Sequence, residues 1–100
     1  MTFEEFIEDF CNNKMFVKVN NDAEKTDVVQ ILENSIDVDQ PYTKSFDYEY
    51  PYVGWIGGHV CGYSSSPSCR EWSITFQEFM SIYNGDMIVE IDVPSLMELV

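Results

Sequence analysis

Two glycines, Gly57-Gly58, stand between YVGWI and HVCGY, and this arrangement narrows the fold more than any other stretch of the chain. β-Branched and aromatic residues flank a two-residue linker whose favoured turn needs positive φ at both central positions, a conformation glycine adopts without strain. A β-hairpin is expected there. The surrounding segment, SFDYEYPYVGWIGGHVCGYSSS from Ser45 to Ser66, also holds the only histidine of the chain. In it Phe46, Tyr48, Tyr50 and Tyr52 alternate with Asp47, Glu49, Pro51 and Val53. In an extended chain that puts aromatic rings on one face and acids on the other, so a strand leading into the hairpin is expected.

Three helices flank this region. Thr2-Phe3-Glu4-Glu5 has the spacing of a capping box, opening a helix to about Asn12 with Phe3, Phe6, Ile7 and Phe10 in one apolar stripe. Met15 to Asn20 alternates as a short strand, and Asn21 with Glu24 starts a second helix that buries Val28, Val29, Leu32 and Ile36. Residues 37–45 contain Pro41 without periodicity and are expected as a loop. After the hairpin, Ser64–Ser68 is a polar loop, and a strand at Trp72–Phe76 turns Trp72, Ile74 and Phe76 inward. Thr75-Phe76-Gln77-Glu78 is a second capping box, and Asn84-Gly85 is expected to stop the helix it opens. Met87, Val89, Ile91 and Val93 alternate as a last strand before Pro94, with SLMELV as a terminal helix or docked tail.

The expected order is α-β-α-β-β-β-α-β: a single α+β domain over residues 1–100, with an antiparallel-leaning sheet of four to five strands and about three helices packed on it. A 45% hydrophobic content is too apolar for disorder, and one hundred residues suffice for a core.

Eighteen acids against five bases leave a formal charge of −13, and 12 of those acids lie in residues 1–50, so the excess is no acidic tail. Such a field disfavours nucleic acid and anionic lipid and favours fast association with a basic protein surface. The N-terminus MTFEEFIEDF carries acids where a secretory signal carries bases, no run of 18 apolar residues occurs, and the three cysteines form no CxxC. A cytoplasmic chain without disulfides is expected.

No reaction motif is present. His59 and Cys61 share a strand face, but a nucleophilic thiol needs a positive setting. His59, Cys61 and Cys69 offer three soft ligands where structural zinc takes four, and neither a calcium loop nor a phosphate-binding glycine pattern occurs. The chain is read as a non-enzyme with no cofactor and no metal.

Protein recognition remains. Tyrosine and tryptophan dominate interface energetics, and surrounding acids steer a basic partner. Asp37 with Asp39 and Asp47 with Glu49 would be about 6.8 Å apart in extended chain, close to neighbouring phosphates on a nucleic-acid strand. These four acids are the candidate phosphate-like contacts, with Tyr48, Tyr50 and Trp55 as anchors; Glu4, Glu8 and Asp9 form a second acidic face on the first helix. Each set also reads as an ordinary solvated face.

The segments VKVNNDAEKTDVVQILENS, PYVGWIGGHVCGYSSS and REWSITFQEFMSI, in a short acidic chain, resemble small proteins encoded by phages and mobile elements of Gram-positive bacteria. Acidic anti-CRISPR proteins are among them. The resemblance implies an inhibitor that mimics DNA on the nucleic-acid groove of a host CRISPR nuclease, or of another nucleic-acid enzyme, in the host cytoplasm. Two alternatives stand beside it: a sponge for a signalling nucleotide, and an oligomeric accessory phage protein that associates with itself through the aromatic face.

Overall fold

A computed structural model describes residues 1–89 of the chain. The elements run α1 (Phe3–Cys11), β1 (Phe16–Lys18), α2 (Asp22–Ser35), β2 (Tyr52–Ile56), β3 (His59–Tyr63), α3 (Pro67–Glu71), β4 (Ser73–Thr75) and α4 (Phe76–Val89). The fold is α+β, with one four-stranded sheet in the order β3-β2-β1-β4. It is mostly antiparallel: β2 pairs antiparallel with both β1 and β3, and only β4 runs parallel to β1.

Local chemistry starts each long helix. The Glu5 amide donates to Thr2 Oγ1 (3.1 Å) while the Thr2 amide donates to Glu5 Oε1 (2.8 Å), a complete capping box. Thr75 and Glu78 repeat it at 2.8 and 3.0 Å for α4. At α2 the Glu24 amide donates to Asn21 Oδ1 (2.8 Å), and the Glu24 carboxylate accepts from the Asn20 amide (2.9 Å). The end of α1 is closed by Asn13 at φ 62°, with Asn13 N–H on the Phe10 carbonyl and Lys14 N–H on the Asp9 carbonyl, a Schellman arrangement.

The stripes predicted from periodicity meet over one face of the sheet. Phe6 and Phe10 of α1, Val28, Val29 and Leu32 of α2 and Phe79 of α4 close over Val17, Val19, Val53 and Val60. The Phe6 ring stacks on Phe10 (5.7 Å) and meets Phe79 edge-on (5.3 Å). Each such burial contributes about 1.5–3 kcal/mol. On the opposite face Phe16, Tyr52 and Cys69 are buried with Tyr63 against them, so β1 is apolar on both sides.

Several expectations change. The aromatic segment is not a strand before Tyr52, because Asp47 bends it: the Glu49 amide donates to Asp47 Oδ1 (2.9 Å) and the Tyr50 amide to the Asp47 carbonyl (2.9 Å). A short polar side chain competes here with any ladder, and Pro51 has no N–H to offer one. The loop 64–68 passes into α3, which Ser66 caps through the Cys69 amide (3.2 Å). Trp72 is exposed rather than inward because it is the C-cap of α3, outside β4. Asn84-Gly85 does not stop α4: Gly85 keeps a right-handed backbone, so the helix continues at a penalty of about 1 kcal/mol relative to alanine. Of the expected strand over Met87–Val93, the first three residues belong to α4. Its remainder and the terminal SLMELV lie outside the described residues.

Candidate functional site

Between α2 and β2 the chain forms a strap, residues 37–46, followed by the turn Asp47–Tyr50. Three side chains of α2 hold the strap. Glu33 Oε2 accepts from the Tyr42 amide (2.7 Å), and Asp22 Oδ1 accepts from the Phe46 amide (2.9 Å). Between them the Lys25 ammonium donates to the Lys44 and Ser45 carbonyls, the latter at 2.7 Å, and lies 4.3 Å from the Tyr42 ring centroid. Lys25 is 4% exposed. Burial pushes its pKa down, and the Asp22 and Asp47 carboxylates pull the other way. At its far end the strap touches the hairpin tip, where the Asp39 amide donates to the Gly58 carbonyl (2.9 Å).

Lys25 was not singled out by sequence reasoning, yet a signal was present. It falls at i, i+3, i+4 and i+7 with Val28, Val29 and Leu32, a cation inside an apolar stripe. Such a lysine must find acceptors when buried, and the strap carbonyls supply them.

The turn carries the exposed aromatic group. Tyr48 is 84% exposed and its ring meets Phe46 edge-on at 5.0 Å, with Asp47 and Glu49 on either side of it in the chain. Tyr50 is half exposed. Thus Asp47, Tyr48, Glu49 and Tyr50 come together. Asp37 and Asp39 do not join them: Asp39 is at the Gly58 end of β3, whereas Tyr50 packs near Gly62. Four residues of strand separate these ends, about 13 Å. The four acids therefore form two separated pairs and not the continuous row expected from an extended chain. Trp55 packs inward, its ring 6.2 Å from Phe10, and is only half-buried. Glu4 and Glu8 are exposed and Asp9 half-buried on α1.

Three clefts adjoin the strap. One of about 290 Å³ lies between it and α2, lined by Asp22, Lys25, Glu33 and Tyr42. Another of about 340 Å³ is bordered by Tyr42, Lys44, Asp47, Tyr50, Cys61 and Gly62. The third, about 370 Å³, separates Gln40–Lys44 from His59–Cys61.

His59 and Cys61 share one face of β3, as expected, opposite Ile56 and Gly54. Burial pushes the Cys61 thiol up, away from the thiolate that nucleophilic chemistry requires. The Tyr63 hydroxyl donates to the Trp55 carbonyl (2.6 Å), and burial, with Cys61 and Cys69 nearby, pushes its pKa up to about 12. Among the described residues no group of three or more His, Cys, Asp or Glu is placed to hold a metal ion, and no helix is long and apolar enough to cross a membrane. Compared with protein-family models, curated proteins and solved structures, the chain matches none of them.

Proposed function

We propose that this chain is a non-enzymatic inhibitor that binds the basic, nucleic-acid-binding surface of a host defence protein, a CRISPR nuclease or an enzyme of similar surface. The observation that carries this reading is Tyr48, 84% exposed and flanked by Asp47 and Glu49 on a turn tied down by its own hydrogen bonds. An exposed tyrosine on a rigid support loses little entropy on docking and is a frequent interface anchor. The net charge of −13 supplies the steering. Asp39, beside Gly58 at the hairpin tip, and Asp37 two residues before it act as a second acidic group away from the first, so the mimicry is of separated phosphates.

A nucleotide sponge is less well supported. The clefts carry Asp22, Glu33 and Asp47, and the Lys25 ammonium is already committed to two carbonyls and a ring.

The test is capture from host lysate at low and high salt, with the wild type and Tyr48→Ala compared. A basic nuclease retained at low salt, released by salt, and lost with a folded Tyr48→Ala variant is the expected result. A bound nucleotide found by mass spectrometry, or self-association alone, would replace this reading by one of its alternatives.

A further inference from the structure

β3 is an outer strand, paired with β2 on one side only. Ile56 and His59 close a two-residue turn in which Gly57 and Gly58 have φ 51° and 96°. In such a hairpin the closing pair exchanges both hydrogen bonds, and bonded pairs then alternate along the strands. His59, Cys61 and Tyr63 therefore turn their backbone groups toward β2, and Val60 and Gly62 turn theirs outward. The Tyr42 hydroxyl lies against Gly62, 2.8 Å from where a Cβ there would stand. The Val60 N–H and C=O and the Gly62 C=O are thus left facing the strap, and among the described residues none of the three has a hydrogen-bond partner. Val60 is 0% exposed, so its unpaired amide and carbonyl are buried as well. Buried backbone groups are almost always paired, and this exception calls for an acceptor and a donor from elsewhere.

The strap does not supply them. It runs beside β3 without forming a ladder: its Asp39 amide bonds only the turn carbonyl of Gly58, and its amides at Tyr42 and Phe46 are taken by Glu33 and Asp22. What separates strap and strand is the cleft of about 370 Å³ along His59–Cys61, which adjoins the one of about 340 Å³ at Gly62. Acids stand at both ends of this slot, Asp39 beside Gly58 and Asp47 near Tyr50, against a single lysine, Lys44, in its lining.

We infer that the outer edge of β3 accepts an extended, basic segment of a partner protein as a fifth strand, which displaces the strap from over Val60 as it seats. The segment donates to the Val60 and Gly62 carbonyls and accepts from the Val60 amide, and its lysine or arginine side chains reach Asp39 at one end and Asp47 at the other. Main-chain bonds of this kind supply affinity, and the alternate side chains supply selectivity. This inference rests on the proposed basic partner, and it adds a seat distinct from the Tyr48 turn.

The experiment uses the full chain, labelled for amide NMR, and the synthetic peptide acetyl-(Lys-Val)₃-Lys-amide, with copies of it N-methylated at alternate backbone amides. In the free protein the Val60 amide should exchange with solvent about tenfold or more faster than the amides of Cys61 and Tyr63, which are bonded to β2. Saturating peptide should slow Val60 exchange about tenfold and shift the Val60 and Gly62 resonances. A copy whose methylated edge must face β3 should fail to do so at equal charge, and Asp39→Asn with Asp47→Asn should weaken binding several-fold at low salt. Peptide shifts confined to Tyr48 and Glu49, with Val60 and Gly62 unmoved, would overturn the edge seat and leave the turn as the docking site. Val60 protection in the free protein equal to that of Cys61 would show the strap already closed on the edge, and absence of saturable binding would equally refute the inference. Lysate capture lost on Tyr48→Ala bears on the turn alone, so the two readings fail separately.

Discussion

Gly57 and Gly58 are adjacent and chemically identical, yet replacing them by alanine should have different consequences. At Gly57, φ is 51°, inside the left-handed region, and a Cβ would meet nothing within 4 Å. Gly57→Ala therefore carries only the strain of that conformation, about 1 kcal/mol. At Gly58, φ is 96°, farther from the region an L-residue tolerates, and the Cβ would run into the Asp39 carboxylate. That carboxylate cannot simply drift away, because the Asp39 amide is bonded to the Gly58 carbonyl at 2.9 Å. Its side chain must rotate, and strain and displacement together should destabilise by about 2–3 kcal/mol. Urea denaturation followed by circular dichroism measures both variants, with a thermal midpoint change of about 4–8 °C per kcal/mol in a domain of this size. The Asp39→Ala/Gly58→Ala double variant separates the two contributions. Removal of the carboxylate should restore about 0.5–1 kcal/mol of the Gly58→Ala loss and leave the φ strain in place. Equal losses at the two glycines, with no coupling to Asp39, would refute the placement of the strap on the hairpin tip.

Gly54→Ala should destabilise by about 1–3 kcal/mol through overpacking, since its Cβ would lie 2.6 Å from Tyr63 Cε1 and 2.7 Å from Phe16 Cδ1; denaturation of that variant checks it. Burial pushes the Tyr63 hydroxyl up to about 12, from about 10 for an unperturbed tyrosine. A raised pKa means the contribution is complete below pH ~10 and is lost as pH rises from ~10 to ~12, a loss of at most about 2.7 kcal/mol, reduced to about 1–2 by partial solvent exposure of the ring. Stability measured across that window should fall, and Tyr63→Phe should flatten the fall. Lys25→Met should change global stability by less than about 1 kcal/mol, because the lost hydrogen bonds and ring contact are offset by relief of the burial that lowers the lysine pKa. The Tyr42 and Phe46 amides should meanwhile exchange about tenfold faster as the strap loosens, and a large global loss with those amides unchanged would place Lys25 in the core and not in the strap's attachment.

Features that depend on neighbours within about four residues could be read from the chain alone. The capping pairs Thr2 with Glu5 and Thr75 with Glu78, the stripe through Phe6 and Phe10, and the positive-φ turn at Gly57-Gly58 all formed where local spacing put them. Local chemistry also bent the chain at Asp47, against its period-two alternation, because a carboxylate two residues from an amide forms its bond before any ladder exists. The strap was not legible in this way. Glu33 meets Tyr42 across nine positions, Lys25 meets Ser45 across 20 and Asp22 meets Phe46 across 24. No periodicity encodes such pairings, since each forms only after α2 has docked and closed the intervening loop. For the same reason the acids at Asp39 and Asp47 were separable only in three dimensions: the strap runs the length of β3, and that course follows from buried Lys25 bonding its carbonyls and meeting the Tyr42 ring, not from any property of Asp39 or Asp47 themselves.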